Sequence, residues 1–128
     1  MSIAWDKTVD FLVVGSGAGG MLGSTFAALN RQETLVIEKS DLWGGTSATS
    51  GGGIWIPNSP VAIAQGFQDS HEEAFKYIRA LSADHVPDSL INAYVQYSPD
   101  MLQWVHDNTP VRFASIPYTD YHAELPGG

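Results

Sequence analysis

Three glycines, at positions 15, 17 and 20, follow the apolar run Phe11-Leu-Val-Val14 in the spacing G-x-G-x-x-G. A chain built this way can hold a pyrophosphate with its backbone alone. Gly15 would make the tight turn, Gly17 would admit the anion, and Gly20 would let helix and strand pack closely. The helix that follows would then turn its free N–H groups and positive dipole end to the phosphates, with no basic side chain needed. Glu38 lies 18 residues beyond Gly20 and closes a second apolar run, Leu35-Val-Ile37. A carboxylate there can accept both hydroxyls of an adenosine ribose and would repel a 2′-phosphate. The expected cofactor-binding set is Gly15, Ser16, Gly17, Ala18, Gly19 and Gly20 in the turn, with Glu38 and Lys39 after the second strand.

Residues 8–39 therefore read as a βαβ dinucleotide unit of a Rossmann-like α/β fold. Ala18, Met21, Leu22, Ala28 and Leu29 recur at helical spacing and predict one stripe of the helix turned onto the sheet. Convincing strands occur only before residue 40, whereas a doubly wound fold needs several. The chain is thus expected to be an incomplete nucleotide-binding domain, the N-terminal portion of a larger two-domain protein. Uncovered strand faces and edges would leave it poorly soluble or molten in isolation.

Residues 40–60 are rich in glycine and serine, a composition that suits either a flexible linker or an ordered loop whose backbone approaches a ligand. The interleaved Trp43, Ile54, Trp55 and Ile56 favour order. Over 70–107 the pattern is helical: Ser70-His-Glu-Glu73 is a capping box that opens a helix over about 71–82, lined by Ala74, Phe75, Ile78 and Leu81. A second begins near Pro87, with Leu90, Ile91, Tyr94, Val95, Leu102 and Val105 on one face. Ser98-Pro99 is either a kink in it or the cap of a separate helix. Val111-Arg-Phe-Ala114 could form a short strand.

Composition excludes several functions. Six basic residues stand against fourteen acidic ones, for a net charge of −8. No Lys/Arg cluster occurs, so nucleic acid is a poor partner. Cysteine is absent, which removes disulfides and thiol catalysis and leaves the cytoplasm as the default location. Histidines 71, 85, 106 and 122 lack metal-ligand spacing, so no metal is expected, and the two on helices should lie on solvated faces. Residues 11–30 carry no charge, but their glycines suit the buried strand and helix of a nucleotide fold better than a membrane span.

The run Gly44-Gly-Thr-Ser-Ala-Thr-Ser-Gly-Gly-Gly-Ile-Trp-Ile-Pro57, placed after an acid-terminated strand, resembles the flavoprotein family of fumarate reductases and 3-oxosteroid dehydrogenases. With Asp120-Tyr121 ahead of Pro126-Gly-Gly128, the chain is most similar to the 3-oxosteroid Δ1-dehydrogenase branch, over nearly its whole length. The resemblance implies an FAD-binding domain in which Gly45, Thr46, Ser47, Ser50, Gly51 and Gly52 reach the flavin. Such contacts need residues without bulk and hydroxyls that both donate and accept. The loop holds no histidine of the kind that carries covalent flavin in some fumarate reductases, so the FAD should be non-covalent.

In that family a tyrosinate removes a proton from a 3-ketosteroid, and flavin N5 accepts hydride from the neighbouring carbon before an external electron acceptor takes the electrons. A free tyrosine has a pKa of about 10, so the base needs help to ionise, and a second tyrosine hydroxyl donating to its oxygen supplies it. Tyr121 matches that supporting tyrosine, which makes 111–128 the start of an active-site segment, while the base itself belongs to later parts of the family's sequence. Alone, the segment is expected to be inactive. Three alternatives stay open: a fumarate- or urocanate-type reductase, a desaturase acting on another bond of a 3-ketosteroid, and an inactive flavin-binding fragment.

Overall fold

The computed structural model describes residues 4–128, which fall into two compact units, one ending at Ile54 and one running from Trp55 to Gly128. In the first, the two apolar runs become parallel strands, β1 (Phe11–Val14) and β2 (Thr34–Ile37), joined by helix α1 (Ala18–Leu29). Parallel strands need a crossover connection, and α1 supplies it. Phe11 is level with Thr34 and Val14 with Ile37. The ladder continues as the Gly15 N–H donates to the Ile37 carbonyl at 2.7 Å, so pairing runs up to the glycine turn.

The face of α1 that meets the strands differs from the expected stripe. Its buried residues are Ser24 and Ala27. A β-carbon at Gly20 would stand 2.3 Å from the Gly15 carbonyl oxygen and 2.9 Å from Val13 Cγ1. Ala18, Met21, Ala28 and Leu29 are exposed and Leu22 is half-buried. The glycine turn brings the helix so near the strands that only small side chains fit between them. Close approach therefore overrides periodicity, and the large side chains are left to point outward.

The second unit holds α2 (Pro60–Ala64), α3 (His71–Ser82) and α4 (Asp88–Asn108). Ser70 Oγ accepts the Glu73 N–H at 3.1 Å, and α3 has the bounds the capping box predicts. The reciprocal arm of the box is not made. Glu73 pairs with Lys76 at 2.9 Å, and the Ser70 N–H donates to Asp69 Oδ1 at 2.7 Å. The corner after α3 is clamped by Arg79, which reaches Asp84 at 3.2 Å, the Val86 carbonyl at 3.2 Å, and Asp88 at the start of α4. Ala74, Ile91 and Val95 form the core, with Phe75, Ile78 and Val86 packed on them.

α4 runs through Pro99 as one helix, which settles the alternative at Ser98-Pro99 in favour of a single element. No strand forms over 111–114. A strand needs a partner ladder, and among the described residues the second unit has no other strand to offer one. His71 is exposed as expected, but His106 is half-buried, and its Nδ1 is sealed from solvent one residue after buried Val105. No helix among the described residues is long and apolar enough to cross a membrane.

Val14 is 78 % exposed, Leu12 54 %, and Leu29 55 %. Fully burying such a side chain is worth about 1.5–3 kcal/mol, and the isolated chain forgoes the part that matches this exposure. The 128-residue segment expressed alone should bind a hydrophobic dye strongly and melt without a cooperative transition in calorimetry. A sharp two-state melt would contradict this.

Candidate functional site

β1 ends at Gly15, whose φ of 93° is a conformation that side-chain-bearing residues rarely adopt. The chain turns there, and Gly17, in extended conformation, caps α1. Between them Ser16 is fully buried. Its N–H donates to Glu38 Oε2 at 2.9 Å, and its hydroxyl donates to the same oxygen at 2.6 Å. The hydroxyl oxygen in turn accepts the Gly44 N–H at 2.8 Å. One serine thus binds the end of β2 and the start of the second glycine loop to the first. Ser16 is expected to serve the cofactor, yet its N–H and hydroxyl are spent within the protein, so it shapes the turn instead.

Glu38 Oε1 accepts the Ser40 N–H at 3.0 Å, so three of the roughly four acceptor positions of the carboxylate are already taken. The Ser16 hydroxyl foremost, then the Ser16 and Ser40 N–H groups and more weakly that of Lys39, hold the Glu38 carboxyl at about 2 against an ordinary 4.5. Partial burial opposes them and loses. Lys39 itself is exposed.

The second glycine loop folds onto the start of α1. Gly45–Thr49 forms a 3-10 turn. Ser47 Oγ accepts the Ala18 N–H at 3.2 Å, and a β-carbon on Gly45 would stand 3.6 Å from Gly17 Cα. Ser50 Oγ donates to the Ser47 carbonyl at 2.9 Å and accepts the Gly52 N–H at 3.1 Å, while the Thr49 hydroxyl donates to the Thr46 carbonyl at 2.9 Å. These bonds order a loop whose composition alone leaves order and disorder open. The structure brings Gly15 to Gly20, Glu38 and Gly45 to Ser47 together around the N-terminus of α1. Ser50, Gly51 and Gly52 follow, exposed.

A dinucleotide fits this cradle. β-Carbons at Gly15 and Gly19 would meet nothing within 4 Å, and the first turn of α1 carries no acidic residue. The N–H groups of Gly19 and Gly20 have no acceptor within the helix, as at any helix start. An anion can therefore reach bare backbone donors and the positive dipole end together.

In the second unit a hollow of about 960 Å³ is lined by Trp55, Phe67, Tyr77, Ile116, Tyr118 and Asp120, among others. Tyr77 is 3 % exposed, and its hydroxyl donates to Asp120 Oδ1. Burial above all, then the bond to Asp120 and the charges of Asp120 and Glu124, pushes its phenol up to about 12. The Trp55 ring lies 5.5 Å from that of Tyr77 and stacks on Tyr94 at 6.4 Å, with the Tyr94 hydroxyl donating to the Trp55 carbonyl at 2.5 Å. Tyr121 is 97 % exposed. Tyr77 escapes the sequence reading, although it stands at helical spacing from Ala74 and Leu81, and Asp120 figures there only as the neighbour of Tyr121. Among the described residues no group of histidines and carboxylates could hold a metal ion.

An FAD binding domain family matches residues 10–125. The chain belongs to that family. It is 42 % identical over 120 residues to a 3-oxosteroid 1-dehydrogenase of Mycolicibacterium smegmatis, covering 93 % of this chain and 21 % of the relative. A 4-oxocyclohexanecarboxylate 2-dehydrogenase of Sinomonas cyclohexanicum is 37 % identical, over 94 % of this chain and 21 % of its own length. The crystal structure of 3-ketosteroid delta1-dehydrogenase from Sterolibacterium denitrificans, in complex with 1,4-androstadiene-3,17-dione, superposes with a TM-score of 0.85 at 40 % identity, covering 93 % of this chain and 21 % of that one. The chain thus spans about a fifth of the relatives it matches. FAD is its cofactor, and the fold is that of the N-terminal part of larger flavoproteins.

Because folding lowers the Glu38 pKa, its bonds to Ser16 are at full strength above about 4.5 and are lost as the pH falls toward about 2. Acidification through that window should release FAD from the full-length protein. Glu38→Gln, which weakens the bonds while keeping the shape, should lower FAD affinity about tenfold at neutral pH. Calorimetric titration checks this, and unchanged affinity would contradict it.

Proposed function

We propose that this chain is the cofactor-binding opening of an FAD-dependent 3-ketosteroid Δ1-dehydrogenase, an oxidoreductase that desaturates the ring bond beside a ketone. The supporting observation is identity of 42 % to a 3-oxosteroid 1-dehydrogenase sustained over 93 % of the chain. In this reading the unspent backbone donors of Gly19 and Gly20 at the start of α1 hold the diphosphate, and Glu38 turns its remaining acceptor capacity to the ribose. Gly45, Thr46, Ser47, Ser50, Gly51 and Gly52 border the flavin, which is held without a covalent bond because residues 40–60 contain no histidine. Bound FAD supplies the hydride acceptor.

The chain's own part in the chemistry lies in residues 111–128. The ketone acidifies the neighbouring C–H, and a tyrosinate base removes that proton. Tyr121 donates its hydroxyl hydrogen to the oxygen of this base and so favours the ionised form. Its ring, 97 % exposed, is free to meet a group brought against it. An external acceptor completes the cycle, and the cytoplasm is its place.

The relative named for 4-oxocyclohexanecarboxylate makes a small cyclic ketone with a carboxylate a second reading. A carboxylate calls for a cation, and Arg112 is the only arginine beyond Arg79. Its Nη1 donates to the Thr109 carbonyl at 2.5 Å and the Val111 carbonyl at 2.8 Å, which binds it to its own loop. In this second reading the clamp would have to come from another part of the protein.

In the flavin-loaded protein from the complete reading frame, a 3-ketosteroid saturated at C1–C2 should bleach the flavin without oxygen. Tyr121→Phe should slow bleaching about 10²-fold and move the ascending limb of the pH–rate profile to higher pH, since the base loses a donor to its ionised form. Absence of bleaching would overturn the dehydrogenase reading, and an unmoved profile would overturn the role of Tyr121.

A further inference from the structure

We propose that Tyr77 is a positioning residue for Tyr121, holding it through Asp120 by a buried hydrogen bond from α3; the proposal rests on reading Tyr121 as the supporting tyrosine.

The stretch from Ser115 to Asp120 has no regular secondary structure, and residues 121–127 form turns. Ile116 is 60 % exposed, Tyr118 84 % and Tyr121 97 %, so side-chain burial does little to fix their place. The segment meets α3 on each side of Tyr121, by a hydrogen bond on one and by close packing on the other. On one side Asp120 Oδ1 accepts the Tyr77 hydroxyl and also the His122 N–H at 3.2 Å, so the residues flanking Tyr121 converge on one carboxylate oxygen. On the other, a β-carbon at Gly127 would stand 2.2 Å from the Glu73 carbonyl oxygen and 3.2 Å from the Tyr77 nitrogen. His122 Nδ1 lies 3.2 Å from Glu124 Oε1 between them.

Tyr77 is suited to be the fixed end. It lies one turn from the core residue Ala74, and its ring is covered by Trp55. A phenol buried to this degree requires a partner for its O–H, and Asp120 provides it. Burial and Asp120 raise the Tyr77 phenol to about 12, while the Tyr77 hydroxyl, ahead of other causes, lowers the Asp120 carboxyl below its ordinary 3.8. The proton therefore stays on Tyr77 and the charge on Asp120 across the range in which a tyrosine base, ordinarily about 10, ionises. Three residues of the segment are thereby fixed at the base of Tyr121, whose ring remains free. A displacement of about 1 Å at a catalytic group can cost about 10²-fold in rate, so such a fixture has a kinetic consequence.

The test uses the flavin-loaded protein from the complete reading frame with a 3-ketosteroid saturated at C1–C2, read by anaerobic single turnover. Tyr77→Phe should lower the rate of flavin reduction at least about tenfold with the apparent substrate affinity within about threefold. It should also move the ascending pH limb upward, as Tyr121→Phe does. Asp120→Asn keeps an oxygen that accepts both bonds and should recover most of the rate, whereas Asp120→Ala should fall to the level of Tyr77→Phe. In a Tyr121→Phe background, Tyr77→Phe should add no further loss. If Tyr77→Phe loses its flavin, the two Asp120 variants decide. An undiminished rate in Tyr77→Phe, an additive loss in the double variant, or equal damage from Asp120→Asn and Asp120→Ala would each overturn the proposal. A silent Tyr121→Phe would instead overturn the reading beneath it.

Discussion

The buried hydroxyl of Ser16 is the interaction on which the first unit depends. It donates to Glu38 Oε2 at 2.6 Å, and this directs its lone pairs to the Gly44 N–H at 2.8 Å. The carboxylate fixes where the proton points, and the fixed proton decides what the oxygen can accept. Three segments far apart in sequence are thereby held together at one atom: the first glycine turn, the end of β2 and the second glycine loop. Without that bond Glu38 would keep the N–H donors of Ser16 and Ser40, and the second loop would be left to the bond between Ser47 and Ala18 for its hold beside α1.

Binding an anion with bare backbone carries a cost, because glycine loses more conformational freedom on folding than any other residue. The charge-assisted bonds around Glu38 offset part of that cost. The rest is met by close packing: Gly20, Ser24 and Ala27 let α1 lie against the strands. The same choice of small residues turns Met21 and Leu29 outward, at 40 % and 55 % exposure. A tight cradle and an uncovered apolar surface are two results of one packing decision.

What could be read in advance followed the range of the forces involved. The βαβ unit and the start of α3 were legible because glycine spacing, alternation of apolar runs and a cap at Ser70 are local signals. Glu38 stands out in the sequence at the end of the second apolar run, but its partners in the fold do not, since no periodicity announces a bond between Ser16 and a residue 22 positions away. The sheet-facing stripe of α1 was misjudged because hydrophobic spacing ranks large side chains first, and here the distance between elements admits only small ones. The expected strand at 111–114 lacked a partner, which a strand-like composition cannot reveal. Tyr77 and Asp120, 43 residues apart, form a pair that only the folded chain displays.

The most direct test compares FAD with FMN on the deflavinated full-length protein by isothermal titration. FMN lacks the adenosine half that, as we propose, the glycine turn and Glu38 hold. If the grip resides there, FAD should bind at least about 100-fold more tightly than FMN. Equal affinities would mean that the cradle around Ser16 contributes nothing to cofactor binding, and the account would fail.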